Sequence, residues 1–401
     1  MMRITRLKTV KRFQLIALNA LSNMSSPIGS MICSWLVIRL ISPELWGAYT
    51  KIILWFMLAT QLTNFGNKEY LLREFSNNPK DIFPALKLSF IARCRVLLLT
   101  VFIILFLPLT LILKFILIGW LLARFVYSSF DPLLLYERKF SITLLLESSA
   151  VAIFFILILN RPNEAGISWL LTAFLFIEIF KAAALLLIYK KQLFTLTPLT
   201  PSIPFYKGAG PFLLLSLSGL ISSRADLYFV SIYLDKYQIA QYSVLLNFLI
   251  YLQALSNYIF QPFMKNFYRI HSSGKKKITY RFIGLGVFIT LFGVPLIWWV
   301  TNHLFHLSFD ANFIWLGMIY VLPIFLYLPV IYLLYKSGKE KVVLFSNLFG
   351  IVLSILLNLL WLPTLGMKGA LLSAAVVQLS VALIYFFNTP KEKENDLLVV
   401  S

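Results

Sequence analysis

The sequence predicts an all-α polytopic membrane protein with twelve transmembrane helices in two six-helix halves, and three observations predict it. Of the 401 residues, 60% are hydrophobic and only 13% charged, well beyond the apolar share of a soluble domain. Apolar stretches of spanning length, about 20 residues each, recur along nearly the whole chain and leave no segment for a soluble domain. The Lys and Arg residues then sort to one side of those stretches, as they do in the loops of inserted proteins.

The basic start MMRITRLKTVKRF leads into a long apolar segment with no small-x-small cleavage site, so the first span, 13–40, reads as retained rather than removed as a signal peptide. Within it, SSPIGS sets Pro27 and Gly29 near mid-membrane. Proline removes a backbone hydrogen bond and commonly kinks a helix, which makes this either a fixed bend or a hinge. Spans follow at 46–65, 88–113, 114–136, 141–160 and 165–190. A second set lies at 211–234, 238–262, 279–301, 311–335, 341–363 and 367–388. The inner connections near 66–87, 191–210 and 263–278 are the longest, and the short outer ones leave no room for a catalytic domain.

TLTPLTPSIPFYKGAGP, with Pro198, Pro201, Pro204 and Pro211, reads as a cytoplasmic linker. The organisation is then an N-terminal half 1–190, a linker 191–210 and a C-terminal half 211–401 with a short cytoplasmic tail. The halves echo each other: LISPELWGAYTKIILWF parallels LDKYQIAQYSVLLNFL, with Tyr49 and Tyr242 each at the start of an even-numbered span. Six spans per half require repeats that run in the same direction through the membrane.

With the amino terminus in the cytoplasm, only Lys114, Arg161, Lys236 and Lys368 of the 36 Lys and Arg residues fall on the outer side. Arg39, Lys51, Arg124, Lys181 and Arg224 lie within spans or at their ends, and all the others lie inside. Both termini are therefore expected in the cytoplasm. This asymmetry accounts for the net charge of +20 without a nucleic-acid partner. The run Lys275 to Lys277 suits anionic lipid headgroups.

Charges away from span ends are Arg124 and Asp131, Glu147, Glu178 and Lys181, and Arg224 and Asp226. Each would cost about 2.5–3.5 kcal/mol at a helix centre facing lipid, so each should face protein or water. Arg124 and Asp131, seven apart, share a helix face with Tyr127 and Ser128. Glu178 and Lys181, three apart, can pair along one helix, as a locally neutral unit or as part of a cavity wall. Asp131 and Glu147 should lie at similar depth; if they meet, one of them could hold a coupling proton, and otherwise each has its own partner. Arg224 and Asp226 are 200° apart on a helix and need different surroundings. Arg224 shares a stripe with Tyr228 and Ser231, and Asp226 shares a side with Gly219, Ser222 and Tyr233. The substrate-binding candidates are accordingly Arg224, Arg124, Lys181, Tyr228 and Ser231. Asp131, Glu147, Glu178 and Asp226 are candidates for ion coupling or structural charge.

RLISPELWGAY with NFGNKEYLLREF resembles the opening of the polysaccharide-exporter branch of the multidrug/oligosaccharidyl-lipid/polysaccharide (MOP) superfamily. SGLISSRADLYFVSIYLDKYQIAQYSVLLNFL is similar to that family's seventh and eighth spans, and LPTLGMKGALLSAAVVQL to its last hairpin. The matches fall at the start, middle and end of the chain in the family's order, with Trp46, Ala240 and Gln241 as departures. The resemblance implies an O-antigen flippase of the Wzx type, with a fold like that of the multidrug (MATE) transporters. Such a protein moves a polyprenyl-diphosphate-linked oligosaccharide across a bacterial inner membrane, breaks no bond and needs no cofactor. A proton or sodium gradient is its candidate driving force, and the polysaccharide polymerase and chain-length machinery are its candidate partners.

Such a headgroup needs a hydrated, largely cationic cavity between the halves, and the buried acids leave a cation-coupled drug antiporter as the alternative reading. A membrane-embedded glycosyltransferase or polymerase would bring a large loop rich in acids, histidines or arginines, which this sequence lacks. Cys33 and Cys94 read as inert thiols. His303, His306 and Asp310 form a solvated loop rather than a metal site.

Overall fold

The computed structural model describes residues 2–193, 203–260 and 272–389. The proline-rich stretch 194–202, Lys265, Arg269 and the tail with Lys391 and Lys393 lie outside the described residues. The elements are α1 (Met2–Leu40), α2 (Pro43–Asn64), α3 (Asn67–Asn77), α4 (Ile82–Phe106), α5 (Leu111–Tyr136) and α6 (Phe140–Leu159). They continue with α7 (Ile167–Leu193), α8 (Ile203–Tyr233), α9 (Lys236–Phe260), α10 (Ser272–His303), α11 (Asn312–Lys336) and α12 (Glu340–Phe387). No strand occurs among the described residues. Nine of the described helices, α4 to α12, are long and apolar enough to cross a membrane. The 48-residue α12 is two helices meeting at Gly366. The expected twelve crossings require α12 to cross twice and α1 and α2 once each.

Large apolar side chains point outward along these helices; Phe106 is 73% exposed and Leu98 68%. In water such a surface would aggregate, whereas in a bilayer it is the solvated face. This is a multi-pass membrane protein.

The chain divides into two compact units, Met1–Leu217 and Ser218–Ser401. In the first, α5 packs on α7, α2 and α4, and α1 packs on α6 and α2. The motif LISPELWG is a helix start. Ser42 accepts a hydrogen bond from the Leu45 amide at 3.2 Å, Pro43 occupies the first turn, and Glu44 faces the positive end of the dipole. At its other end α2 stops on two successive left-handed residues, Phe65 (φ 47°) and Gly66 (φ 64°), which reverse the chain into α3. Arg161 closes the end of α1 by donating to the Leu40 carbonyl at 2.5 Å.

Three elements depart from the sequence expectation. α3 stands where a loop was expected; it is short and amphipathic, burying Tyr70, Leu71 and Phe75 beneath Lys68 and Arg73, so a search for long apolar runs passes over it. α4 starts at Ile82 and ends at Phe106, about two turns before the expected span, because the apolar run that follows contains Pro108 and cannot continue the helix. α8 starts inside the expected linker. Phe205 and Ala209 are fully buried, the Phe205 ring meets Tyr70 at 5.1 Å, and the Tyr206 hydroxyl donates to the Ala92 carbonyl at 2.6 Å. Burial thus orders residues 203–210 as helix on the first unit despite Pro204.

In the second unit α11 packs on α9, α10 and both arms of α12, through Tyr327, Leu334, Val343, Val381 and Tyr385. Gly366 joins the arms at φ 58° and ψ −139°, a region essentially closed to any residue with a Cβ.

Candidate functional site

The polar side chains of the first unit converge from α5, α6 and α7. Glu178 binds two cations: Arg124 Nη1 donates to its Oε1 at 3.0 Å, and Lys181 Nζ lies 3.2 Å from its Oε2. Lys181 also reaches Glu147 Oε1 at 3.2 Å, and the Tyr127 hydroxyl donates to the same oxygen at 3.1 Å. Both cations lie over the Tyr127 ring, Lys181 Nζ at 4.7 Å from its centroid and the Arg124 guanidinium carbon at 5.4 Å. Two cations and two carboxylates thus form one continuous network across three helices.

Its members differ in access. Lys181 and Glu178 have side chains 7% exposed, Glu147 11% and Arg124 40%. Arg124 is therefore the most open member of the network, and a guanidinium's planar fork matches two phosphate oxygens at once. Lys181 is locked between carboxylates, the locally neutral arrangement that its spacing allows. Asp131 is not bonded to Glu147 among the described residues; it sits instead in the fields of Arg124, Lys68 and Lys181. Ser128 turns back to the Phe125 carbonyl of its own helix at 3.1 Å.

In the second unit Arg224 and Asp226 diverge as the helix geometry requires. Arg224 Nη1 donates to Asn247 Oδ1 at 2.5 Å. Asp226 is buried, accepting from the Tyr242 hydroxyl at 2.5 Å and from the Leu227 amide at 2.8 Å, so it ties α8 to α9. One expectation for this stretch is corrected. Ser231 is 1% exposed and donates to the Tyr228 carbonyl, so it lies inside the packed unit rather than on an open stripe.

α1 runs helical through Pro27, and a Cβ at Gly29 would come within 2.9 Å of Val151 Cγ2 on α6. His303 stacks on Trp299, while Asp310 pairs with Lys368 at 2.5 Å. No group of three His, Cys, Asp or Glu residues suited to a metal occurs among the described residues. Cys33 is buried and Cys94 partly so.

Sequence reasoning missed Arg93, which it counted with the inner-side charges although it falls within the expected span 88–113. The side chain is 1% exposed inside α4 and donates to Ser129 Oγ at 2.6 Å. Its signal was the spacing Ser89-x-x-x-Arg93, two polar residues one turn apart inside that span.

No family model and no curated protein matches the sequence. Solved structures do match. A lipid II flippase MurJ in an inward closed conformation aligns with a TM-score of 0.67 at 15% identity, covering 92% of this chain and 87% of that one. An inward-facing multidrug resistance MATE transporter of the MOP superfamily gives 0.61 at 14% identity, covering 92% and 93%. The eukaryotic MATE transporter AtDTX14 gives 0.55 at 14%, covering 95% of each chain. The fold is that of the MOP-superfamily transporters. At these identities it is the MOP fold alone that is shared; the side chains of the network have to be read on their own.

Proposed function

We propose that this chain is a MOP-type flippase carrying a polyprenyl-diphosphate-linked oligosaccharide, an O-antigen or other surface-polysaccharide repeat unit, from the inner to the outer leaflet of a bacterial inner membrane. It crosses the membrane twelve times with both termini in the cytoplasm and works by alternating access. The observation that carries the reading is an intramembrane guanidinium, Arg124, partly open and held by a carboxylate with a second cation behind it. The fold shared with a lipid II flippase supports it.

The geometry suggests how a diphosphate could bind and still leave. Glu178 presents Arg124 in one position. An arriving phosphate competes with Glu178 for the guanidinium, and the released carboxylate keeps Lys181 as its counter-ion. Glu178 and Glu147 then share Lys181, so the phosphate-bound site carries one carboxylate in excess, which favours return of Arg124 to Glu178 and release of the substrate. Arg224, joined to Asn247, is the second candidate contact, and Tyr228 lies one turn away from it. A proton or sodium ion entering at Glu147, Glu178 or Asp131 would couple transport to a gradient. The partners are the lipid-linked substrate and the polymerase and chain-length machinery that use it outside.

Deleting the gene tests the reading: lipid-linked repeat units should accumulate on the cytoplasmic leaflet and surface polysaccharide should be lost. Normal surface polysaccharide in the deletion strain, with no second copy of the gene, would sink it. Arg124→Ala and Arg224→Ala should fail to complement at normal protein level.

A MATE-type cation antiporter is the second reading, favoured by one observation: in the network Glu147 and Glu178 balance Arg124 and Lys181, leaving no excess positive charge there. Gradient-driven export of a cationic dye from proteoliposomes, with no movement of lipid-linked sugar, would establish it instead.

A further inference from the structure

Where α3, α4 and α5 meet, buried N–H donors outnumber their acceptors. Asn67 and Ser89 are fully buried, Arg93 is 1% exposed and Ser129 3%. Ser89 donates to Asn67 Oδ1, Arg93 Nη2 donates to Ser129 Oγ at 2.6 Å, and Ser129 passes its own hydrogen to the Phe125 carbonyl at 2.6 Å. The remaining donors, Arg93 Nε, Arg93 Nη1 and Asn67 Nδ2, meet no acceptor among the described residues. The guanidinium also lies over the Phe125 ring at 4.8 Å, which closes that side.

A guanidinium cannot shed its proton, and burying it with unmet donors is among the costlier arrangements a protein can adopt. Arg93 forms no ion pair with a carboxylate among the described residues; Asp131, on the adjoining turn of α5, acts on it only through its field and is shared with Arg124, Lys68 and Lys181. A second feature points the same way. α3 opens at Asn67 with no side chain capping its N-terminus, so the positive end of its dipole stands beside the unmatched Asn67 amide.

We propose that this junction holds one small monovalent inorganic anion of the halide class, bound by Arg93 and Asn67 at the start of α3. Three donors suit an acceptor that brings no hydrogen of its own. A water would bring two hydrogens, and in this unit the unmatched buried side-chain acceptor among the described residues is Asn64 Oδ1. The side chains around it are at most 3% exposed, which suits a small ion rather than a diphosphate or a sugar. Its role is to pin the amphipathic α3, and with it the start of α8, to the spanning helices.

Purified full-length protein in detergent, unfolded by heat in sodium chloride or in sodium gluconate of equal ionic strength, tests this. The unfolding midpoint should rise in chloride, by about 1–2 °C per tenfold increase above the binding constant, and bromide should replace chloride and give an anomalous peak against Arg93 and Asn67. Asn67→Asp supplies a tethered anion while keeping the acceptor for Ser89. It should be at least as stable as the parent in gluconate and insensitive to chloride. Arg93→Gln should also lose the chloride response. Equal midpoints in the two salts, or an ordered water at the junction in bromide-grown crystals, would overturn the proposal. So would an Asn67→Asp variant that still responds to chloride.

Discussion

Replacing Glu178 by Gln removes the carboxylate that Arg124 and Lys181 share. Breaking a buried pair from one side costs about 3–5 kcal/mol. Here Arg124 is 40% exposed and partly screened, and Lys181 keeps Glu147 at 3.2 Å. The expected loss is therefore about 2–3 kcal/mol. Lys181→Met acts differently. Arg124 stays on Glu178, Tyr127 still donates to Glu147, and a freed carboxylate can take up a proton where a guanidinium cannot lose one. That loss should be nearer 1–2 kcal/mol. Denaturant titration of the purified protein in mixed micelles measures both. Adding Arg124→Met to Glu178→Gln should recover part of the loss, because the unpaired cation is then gone. The reasoning is refuted if Glu178→Gln is as stable as the parent, or if Lys181→Met proves the more damaging of the two.

Tyr242→Phe deletes the hydroxyl that donates to buried Asp226 and should cost about 1–2 kcal/mol, visible as a lower thermal midpoint; an unchanged midpoint would mean Asp226 does not tie α8 to α9. Gly366→Ala forces a Cβ into φ 58°, ψ −139° and should cost about 1–3 kcal/mol, read by the same melt. Gly29→Leu should lower the level of folded protein, because its Cβ would already stand 2.9 Å from Val151 Cγ2, and Val151→Ala should restore it. Failure of that rescue would detach Gly29 from α6 packing.

The spanning helices were largely legible in the sequence because bilayer insertion demands length and apolarity, which composition shows directly. Their edges were not, since Phe205 and Ala209 extend α8 by tertiary burial that no local window contains. α3 escaped because Tyr70, Leu71 and Phe75 make an apolar face too short for a span. In the site, the Glu178–Lys181 pair followed from helical spacing, but the links from Arg124 to Glu178 and from Lys181 to Glu147 join different helices, and no spacing rule reports them. Arg93 was hidden for a related reason: a cation near a span end reads as a loop charge until the neighbouring helix is seen to cover it.

Translocation of a lipid-linked oligosaccharide can be followed by reconstitution. Purified protein would be placed in vesicles whose outer leaflet carries a fluorescent polyprenyl-diphosphate oligosaccharide, and a membrane-impermeant quencher added after incubation. A flippase should give a protected fraction that grows with time and is lost in Arg124→Ala vesicles of equal protein content. Complete quenching at all times, in vesicles that export a cationic dye down an imposed gradient, would contradict it.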